Sequence, residues 1–213
     1  GRSLRPRHSL KIIFATRNPG KVRELKMALE GLPVSALSQD EAGIDIHVAE
    51  DGATYAENAL LKAEAVSRAA GLPALADDSG IEVDALPGEL GVHSARFGGE
   101  GLGEGGRNRL LLERLKDVEE SRRGGRYVCV LVFCRPGKEP VYFEGEMRGK
   151  ILRSPRGEGG FGYDPLMYLP SNGCTVAELS LESKNRVSHR GRALSAFRGW
   201  LAGELGVGDV RDS

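Results

Sequence analysis

The chain has 213 residues, of which 40% are hydrophobic, and this is enough for one domain with a substantial core. Thirty basic and thirty acidic residues give a formal net charge of zero. That balance argues against a nucleic-acid or membrane-surface binder that relies on a strongly basic field.

The two ends of the chain and its apolar runs limit the domain. We expect residues 1–9 to form a disordered or artificial tail, because they lack the apolar segment of a secretion signal, and residues 10–213 to form a single domain with two lobes. The longest apolar run, residues 127–134, is shorter than the roughly 20 residues of a membrane span. Cys129, Cys134 and Cys174 are expected to be buried free thiols in a reducing, cytoplasmic compartment.

The first motif is an apolar strand, residues 10–16, followed by a turn and a helix that begins near Lys21. A tight loop before a helix favours an anion site, because the first-turn amides are unpaired and the helix dipole attracts negative charge. The P-loop pattern is not met, since Val22 stands where a Ser or Thr would be needed. On this motif alone, a simple turn before a helix is the commoner outcome.

The next segment predicts a strand and a long helix. Residues 44–48 alternate apolar and polar side chains, which indicates a strand with one wet face. A helix from 54 to 70 follows, with Thr54 as its N-cap and Glu57 completing a capping box. Because Glu57 has this structural role, Glu50 is the freer carboxylate.

Two adjacent carboxylates, Asp77 and Asp78, interrupt an apolar stretch that runs from residue 73 to residue 86. The pattern predicts a strand that ends in acidic groups at the mouth of a sheet, where a hard cation such as Mg²⁺ can bind. Because neighbouring strand residues point to opposite faces, the two carboxylates should have different roles. The alternative is an Asx turn in which both cap backbone amides.

The second half of the chain predicts a helix and a β-hairpin. Residues 107–120 have the apolar spacing of an amphipathic helix. Residues 127–134 predict a strand buried on both faces, and residues 141–151 alternate like its hairpin partner. Two matches to the glycine fingerprint of dinucleotide sites, at 101–106 and 157–162, do not directly follow a buried strand and carry no prediction.

A glycine-rich loop, residues 154–165, contains Phe161, Tyr163 and Asp164. An aromatic ring in such a loop can stack on a planar ligand. The alternative is a surface loop that the two aromatic rings pin to a small side core.

A basic cluster precedes the last predicted helix. Ser188 is its expected N-cap, which places His189 and Arg190 at the positive helix end, where a polar or anionic ligand would favour them. Lys184 lies just before them. The alternative is a solvated basic face.

These motifs together resemble the inosine triphosphate pyrophosphatase family, whose members hydrolyse (d)ITP and XTP to the monophosphate and pyrophosphate. The resemblance extends from residue 10 to about residue 205. It implies an α/β fold in which a central twisted mixed β-sheet and flanking helices form two lobes around a cleft. It also implies a Mg²⁺ cofactor and a homodimer. The matching segments are residues 16–21 with Glu24, 76–80, 94–97, 155–157, 160–165, 184–185 and 188–191.

The resemblance also implies residue roles. Asp78 would ligate Mg²⁺ and act as the base that orients or deprotonates the attacking water, with Glu50 as a second metal ligand and Ser79 in contact with substrate. The triphosphate loop would be Thr16, Arg17, Asn18, Pro19, Gly20 and Lys21. The base and sugar would be held, and the pocket closed, by Phe161, Gly162, Tyr163, Asp164, Lys184, His189 and Arg190.

Two of these roles have a physical basis in the residue type. Phe161 would stack on the purine, and Arg190 can only donate hydrogen bonds, so it suits a 6-keto oxygen and opposes the 6-amino group of adenine. Arg17 adds a charge where small residues are usual in the family, so its side chain must turn outward or contact phosphate. A purine nucleotide sensor without turnover is the alternative function; the intact set of Asp78, Lys21 and Arg190 favours the enzyme.

Overall fold

The apolar runs of the sequence form a seven-stranded sheet in the computed structural model, which describes residues 9–208. The strand order is β2-β1-β3-β4-β5-β6-β7, with parallel pairing among β2, β1 and β3 and antiparallel pairing from β3 to β7. The mixed sheet that the family resemblance implied is confirmed. The strands are β1 (Leu10–Phe14), β2 (Val34–Ser38), β3 (Ala74–Val83), β4 (Gly124–Cys134), β5 (Val141–Ile151), β6 (Met167–Leu169) and β7 (Cys174–Thr175).

The helices begin where the sequence supplies caps. Asn18 accepts hydrogen bonds from the first-turn amides of the first helix, and Thr54 accepts from Glu57 at the start of the second. Ser188 caps the last helix, as predicted. The helices are α1 (Pro19–Ala28), α2 (Tyr55–Ala70), α3 (Gly103–Arg114), α4 (Leu181–Val187) and α5 (His189–Leu205).

The core lies on both faces of the sheet. Alternate residues of β1 point to opposite faces, so Ile12 packs with α1 and α5 whereas Ile13 packs with α2. Cys129 and Cys134 likewise belong to clusters on opposite faces, and both are free buried thiols, as expected, whereas Cys174 is free but only half-buried. A third cluster joins α3 to the far ends of β3, β4 and β5. Full burial of each large apolar side chain stabilises the fold by about 1.5–3 kcal/mol.

One strand prediction is wrong, and one strand was not predicted. Residues 44–48 form no strand, although exposed and half-buried residues do alternate there, because no neighbouring strand pairs with them. The Gln39 side chain instead donates hydrogen bonds to the carbonyls of Ile44 (3.1 Å) and Ile46 (3.0 Å). The strand actually present in this part of the chain is β2, which the alternation did not reveal.

Two boundaries also differ from the prediction. The stretch with Asp77 and Asp78 does not end a strand, because β3 continues through both to Val83, paired with β4 along its whole length. Helix α3 begins at Gly103 instead of residue 107 and ends at Arg114 instead of residue 120. The predicted tail, except for residue 9, lies outside the described residues.

Candidate active site

A gap opens along one edge of β3 because β1 pairs only with the first two residues of this strand. β1 pairs with β3 only as far as Phe14 opposite Leu75. Further along the same strand, the Ser94 hydroxyl accepts a hydrogen bond from the backbone N–H of Ile81 (2.9 Å). Asp77 and Ser79 lie between these two points. The carboxylates therefore lie where no strand in the described part of the chain covers this edge of β3.

The loop after β1 borders this gap and is ordered by its own side chains. Thr16 Oγ1 accepts from the backbone N–H of Asn18 (3.1 Å), and Asn18 Oδ1 accepts from those of Gly20 (2.9 Å) and Lys21 (3.3 Å). The Arg17 side chain turns outward, and its Nη2 donates to Asp45 (3.1 Å). Of the two orientations open to Arg17, the structure shows the outward one.

Asp77 faces the side of the sheet where α1 and α5 pack. Its Oδ2 lies 2.9 Å from Lys21 Nζ and 3.7 Å from Arg190 Nε, and it accepts a hydrogen bond from Ser79 Oγ (3.0 Å). Burial opposes ionisation of this fully buried carboxyl, but the charges of Lys21, Lys62 and Arg190 outweigh it and hold its pKa well below the ordinary value. Asp77 is thus a permanent anion that holds two cations in place.

Asp78 points to the opposite face, toward α2. Asn58 Nδ2 donates to its Oδ2 and the backbone N–H of Ser79 to its Oδ1, both at 3.1 Å. Burial raises the pKa of Asp78 to about 6, against the opposing effects of the Lys62 charge and the Asn58 hydrogen bond. The two side chains point to opposite faces of the sheet, as the strand alternation predicted.

Lys62 pairs with Glu50 and acts on Asp78 through its charge alone. Its Nζ lies 2.7 Å from Glu50 Oε1. Burial lowers the pKa of Lys62, but the charges of Asp77, Glu50 and Asp78 raise it by more, so this cation lies among three carboxylates. No cluster of three or more His, Cys, Asp or Glu suited to a metal occurs within residues 9–208.

The glycine-rich loop is anchored through Asp164. Its Oδ1 accepts from Tyr127 Oη (3.1 Å), and its Oδ2 accepts from Lys184 Nζ (2.9 Å) and from the backbone N–H of Phe161 (3.1 Å). The ring of Phe161 lies against the start of α1, where a Cβ added to Gly20 would come within 2.9 Å of it. The loop is therefore attached to β4 and lies against the start of α1.

Two further hydrogen bonds attach this loop to the other side of the cleft. Tyr163 Oη donates to the carbonyl of Ser94 (2.5 Å). Asn108 Nδ2, on α3, donates to the carbonyl of Gly162 (3.1 Å).

A buried ion network joins the two basic segments. Glu24 is only 1% exposed, and its carboxylate lies 2.8 Å from Arg190 Nη1 and 3.0 Å from Lys184 Nζ. Burial would raise the pKa of Glu24, but the charges of Arg190 and Lys184 lower it below the ordinary value. Both cations also lie over the Phe161 ring, at 5.0 and 4.2 Å from its centroid.

His189 is a neutral member of the cluster. Its ring stacks on Tyr127 with centroids 4.6 Å apart. Burial, together with the charges of Arg190 and Lys184, lowers the pKa of His189 well below its ordinary value. The imidazole can therefore serve as a hydrogen-bond partner for an uncharged group without adding a charge.

One cavity of about 190 Å³ brings together most of the predicted substrate-binding residues. They are Asn18, Lys21, Ser79, Phe161, Gly162, Tyr163, Asp164, His189 and Arg190. Asp78 and Glu50 do not line this cavity and approach it from the α2 side. Arg17 and Pro19 line a separate surface depression with Arg23.

The residue pattern had given no role to several groups at this site. Asn58 and Lys62 lie four residues apart on α2, so one face of that helix carries both polar groups that surround Asp78. That spacing was a usable signal. Glu24 belonged to a matched segment but had no assigned role, and Glu104, Arg107 and Tyr127 of the cavity wall carried no distinguishing pattern.

The chain is similar in sequence and in fold to known proteins along most of its length. A dITP/XTP pyrophosphatase from Geobacter sulfurreducens is 49% identical over 193 residues, covering 89% of this chain and 97% of the relative. One from Thermus thermophilus is 52% identical over 188 residues, covering 88% and 90%. The structure of the Staphylococcus aureus Ham1 protein superposes with a TM-score of 0.81 at 38% identity, covering 91% of this chain and 99% of that one.

The family assignment rests on both sequence and fold. The Ham1 family model matches residues 12–200, which include every segment that lines the cavity. The chain belongs to the Ham1 family.

Proposed function

We propose that this protein is a nucleoside triphosphate pyrophosphatase that hydrolyses dITP, ITP and XTP to the nucleoside monophosphate and pyrophosphate, removing deaminated purines from the nucleotide pool. The observation that carries the proposal is that Lys21 and Arg190 converge on Asp77 at the open edge of β3, next to Asp78, a carboxylate whose pKa is raised. The names of the relatives from G. sulfurreducens and T. thermophilus support the same substrate class.

The cationic groups match a triphosphate. Lys21 lies at the start of α1, where the helix dipole also favours negative charge, and Asn18 lines the cavity beside it. Asp77 neutralises Lys21. The ammonium is therefore held in place before substrate arrives, so little reorganisation is needed when phosphate oxygens approach.

Asp78 is the base that orients or deprotonates the attacking water. A general base works best when its pKa lies near the operating pH, and burial brings the pKa of Asp78 to about 6. Asn58 and the backbone N–H of Ser79 each hold one of its oxygens, which fixes the direction in which the carboxylate faces.

The residues around Asp78 fit a magnesium ion. Asp78 and Glu50 offer the carboxylate oxygens that Mg²⁺ prefers, and the ion commonly takes its remaining ligands from water and substrate phosphates. The Lys62 ammonium among three carboxylates indicates that this part of the protein favours a cation. When bound, Mg²⁺ would neutralise charge on the phosphoryl oxygens.

Selection of the base is assigned to Arg190 and the glycine-rich loop. Arg190 donates to a 6-keto oxygen and leaves the 6-amino group of adenine facing another donor, so adenine nucleotides are rejected. Phe161 offers its ring to the purine, and Ser79, Gly162, Tyr163 and Asp164 contact the nucleoside.

The protein acts as a homodimer in the cytoplasm and needs no nucleic acid. Free cysteines support a reducing compartment. No helix in the described part of the chain is long and apolar enough to cross a bilayer. Light scattering in solution tests the dimer.

A product assay tests the activity. The protein is incubated with ITP, XTP, dGTP or ATP and Mg²⁺, and the released phosphate species is identified. We expect pyrophosphate from ITP and XTP and little product from ATP. Orthophosphate would indicate a phosphatase instead, and binding without any product would indicate a nucleotide sensor.

A further inference from the structure

One cation on the cavity wall has no partner. Arg107, on the second turn of α3, lines the cavity near Tyr163, whose pKa its charge lowers slightly against the larger effect of burial. Lys21 and Arg190, the other charged cations on that wall, each pair with a carboxylate. Arg107 makes no hydrogen bond or ion pair with any residue from 9 to 208.

The helical turn that carries Arg107 is attached to the glycine-rich loop. The next residue, Asn108, donates a hydrogen bond to the carbonyl of Gly162 (3.1 Å), and this attaches the same helical turn to the loop. Tyr163 is fixed in turn by its hydrogen bond to Ser94. The unpaired guanidinium therefore belongs to the wall of the cavity and is not an independent surface charge.

Selection by Arg190 alone is incomplete on chemical grounds. A donor aimed at position 6 of a purine rejects adenine, but guanine carries the same 6-keto oxygen as hypoxanthine and xanthine. The three 6-keto bases differ from one another at position 2, where xanthine has a keto oxygen, guanine an amino group and hypoxanthine only a hydrogen. An enzyme that spares guanine nucleotides needs a second group that reads position 2.

We propose that Arg107 reads position 2 of the base and favours xanthine over both hypoxanthine and guanine, an inference that rests on the proposed function. A guanidinium can only donate, so it binds the 2-keto oxygen of xanthine and meets the 2-amino group of guanine donor to donor. Xanthine is also the most acidic of these bases, and its partial negative charge strengthens a charge-assisted hydrogen bond. Hypoxanthine is accepted without this contact.

The test compares Arg107→Gln with Arg109→Gln, an exposed arginine on the same helix that does not line the cavity. The ratios of kcat/KM for XTP, ITP and dGTP are measured for both variants and the wild type. We expect Arg107→Gln to lower the XTP-to-ITP ratio by about three- to tenfold and to raise the dGTP-to-ITP ratio. Arg109→Gln should match the wild type.

The pH dependence separates recognition from a structural effect. In the wild type the XTP-to-ITP ratio should rise as pH increases through the ionisation of xanthine, and Arg107→Gln should flatten this rise. An unchanged ratio in Arg107→Gln, or equal losses on XTP and ITP, would overturn the inference, since equal losses indicate a contact with sugar or phosphate. Wild-type protein that releases no pyrophosphate from ITP would instead overturn the proposed function itself.

Discussion

Asp77 and Asp78, adjacent on β3, point to opposite faces of the sheet and have opposite ionisation behaviour. Asp77 binds Lys21 at 2.9 Å and has a lowered pKa, whereas Asp78 accepts from Asn58 at 3.1 Å and has a pKa raised to about 6. One carboxylate is therefore committed to holding cations. The other remains available to take up a proton near neutral pH.

Asp78→Asn should abolish turnover while leaving the fold and nucleotide binding largely intact. The amide keeps the shape of the side chain and an acceptor for Asn58, but it cannot accept a proton from water. Pyrophosphate release and nucleotide binding are measured side by side, with Asp84→Asn, an exposed carboxylate just beyond β3, as the control. Near-normal activity in Asp78→Asn would remove the proposed base.

The pH dependence of kcat/KM should reflect protonation of Asp78. Activity is expected to fall as pH drops below about 6, because the base is lost when the carboxylate takes up its proton. Since a nearby cation favours the ionised form, higher Mg²⁺ concentrations should move this acidic limb to lower pH. Profiles of kcat/KM against pH at two Mg²⁺ concentrations test this. An acidic limb at the same pH in both profiles would contradict the proposal that Asp78 both binds Mg²⁺ and acts as the base.

The same raised pKa predicts a pH dependence of stability without Mg²⁺. The folded pKa of Asp78 lies above its unfolded value, so its contribution is fully present below about pH 4 and is lost as pH rises through about 6. Relative to its value at low pH, this contribution falls by up to about 3 kcal/mol. Asp78→Asn should lack this dependence, which chemical denaturation of both proteins at a series of pH values will show.

Asp77→Asn should destabilise the protein mainly at neutral pH. The lowered pKa of Asp77 means that its stabilising effect is present above the unfolded carboxyl value and is lost as pH falls below it. Removal of this charge leaves Lys21 and Arg190 without their shared partner, a loss of about 3 kcal/mol for a buried ion pair. Denaturant unfolding should show that the difference in free energy of unfolding between the wild type and Asp77→Asn becomes smaller from neutral to acidic pH. A difference that does not depend on pH would refute the electrostatic explanation.

Sequence patterns predicted the parts of this fold that depend on local spacing. The hairpin of β4 and β5, the caps at Thr54 and Ser188, and the opposite faces of the paired carboxylates all follow from periodicity or capping. β2 escaped notice because it is short and mostly half-buried, so it lacks a clear alternation. Residues 44–48 had the alternation but no strand beside them, and pairing is a tertiary property.

The ion network of the site could not be predicted from local sequence patterns. Glu24 and Arg190 lie 166 residues apart, and only the folded sheet and helices bring them to 2.8 Å. Without that contact, neither the burial of Glu24 nor its effect on Arg190 can be inferred. The family resemblance identified the segments that contain Glu24 and Arg190, but only the structure shows that these two side chains form an ion pair.

Arg190→Ala should erode the preference for ITP over ATP more than it affects metal binding. The substitution removes the donor for a 6-keto oxygen, so we expect the ratio of kcat/KM values to fall about tenfold or more. It also leaves Glu24 with Lys184 as its remaining cation, so thermal stability is measured in parallel. Arg192 is exposed on the same helix, so Arg192→Ala is the control. An unchanged preference in Arg190→Ala would contradict the role of Arg190 as the donor to the 6-keto oxygen.

Arg123→Met should destabilise the protein through lost backbone contacts away from the cavity. Arg123 is 1% exposed, and its guanidinium donates to the carbonyls of Leu115, Ile151 and Leu152, joining the end of α3 to the end of β5. Methionine fills a similar volume but leaves these acceptors buried without donors, at a cost of at least about 2 kcal/mol.

For a chain of this length, that loss corresponds to a fall of about 4–8 °C in Tm. The neighbouring Arg122 is exposed, so Arg122→Met changes charge and size in the same way without touching the three carbonyls. Thermal unfolding of the two variants separates the loss of the three hydrogen bonds from the change in charge and size. Equal Tm values for Arg122→Met and Arg123→Met would mean that the buried guanidinium does not stabilise this junction, whereas a selective fall in Arg123→Met is the expected result.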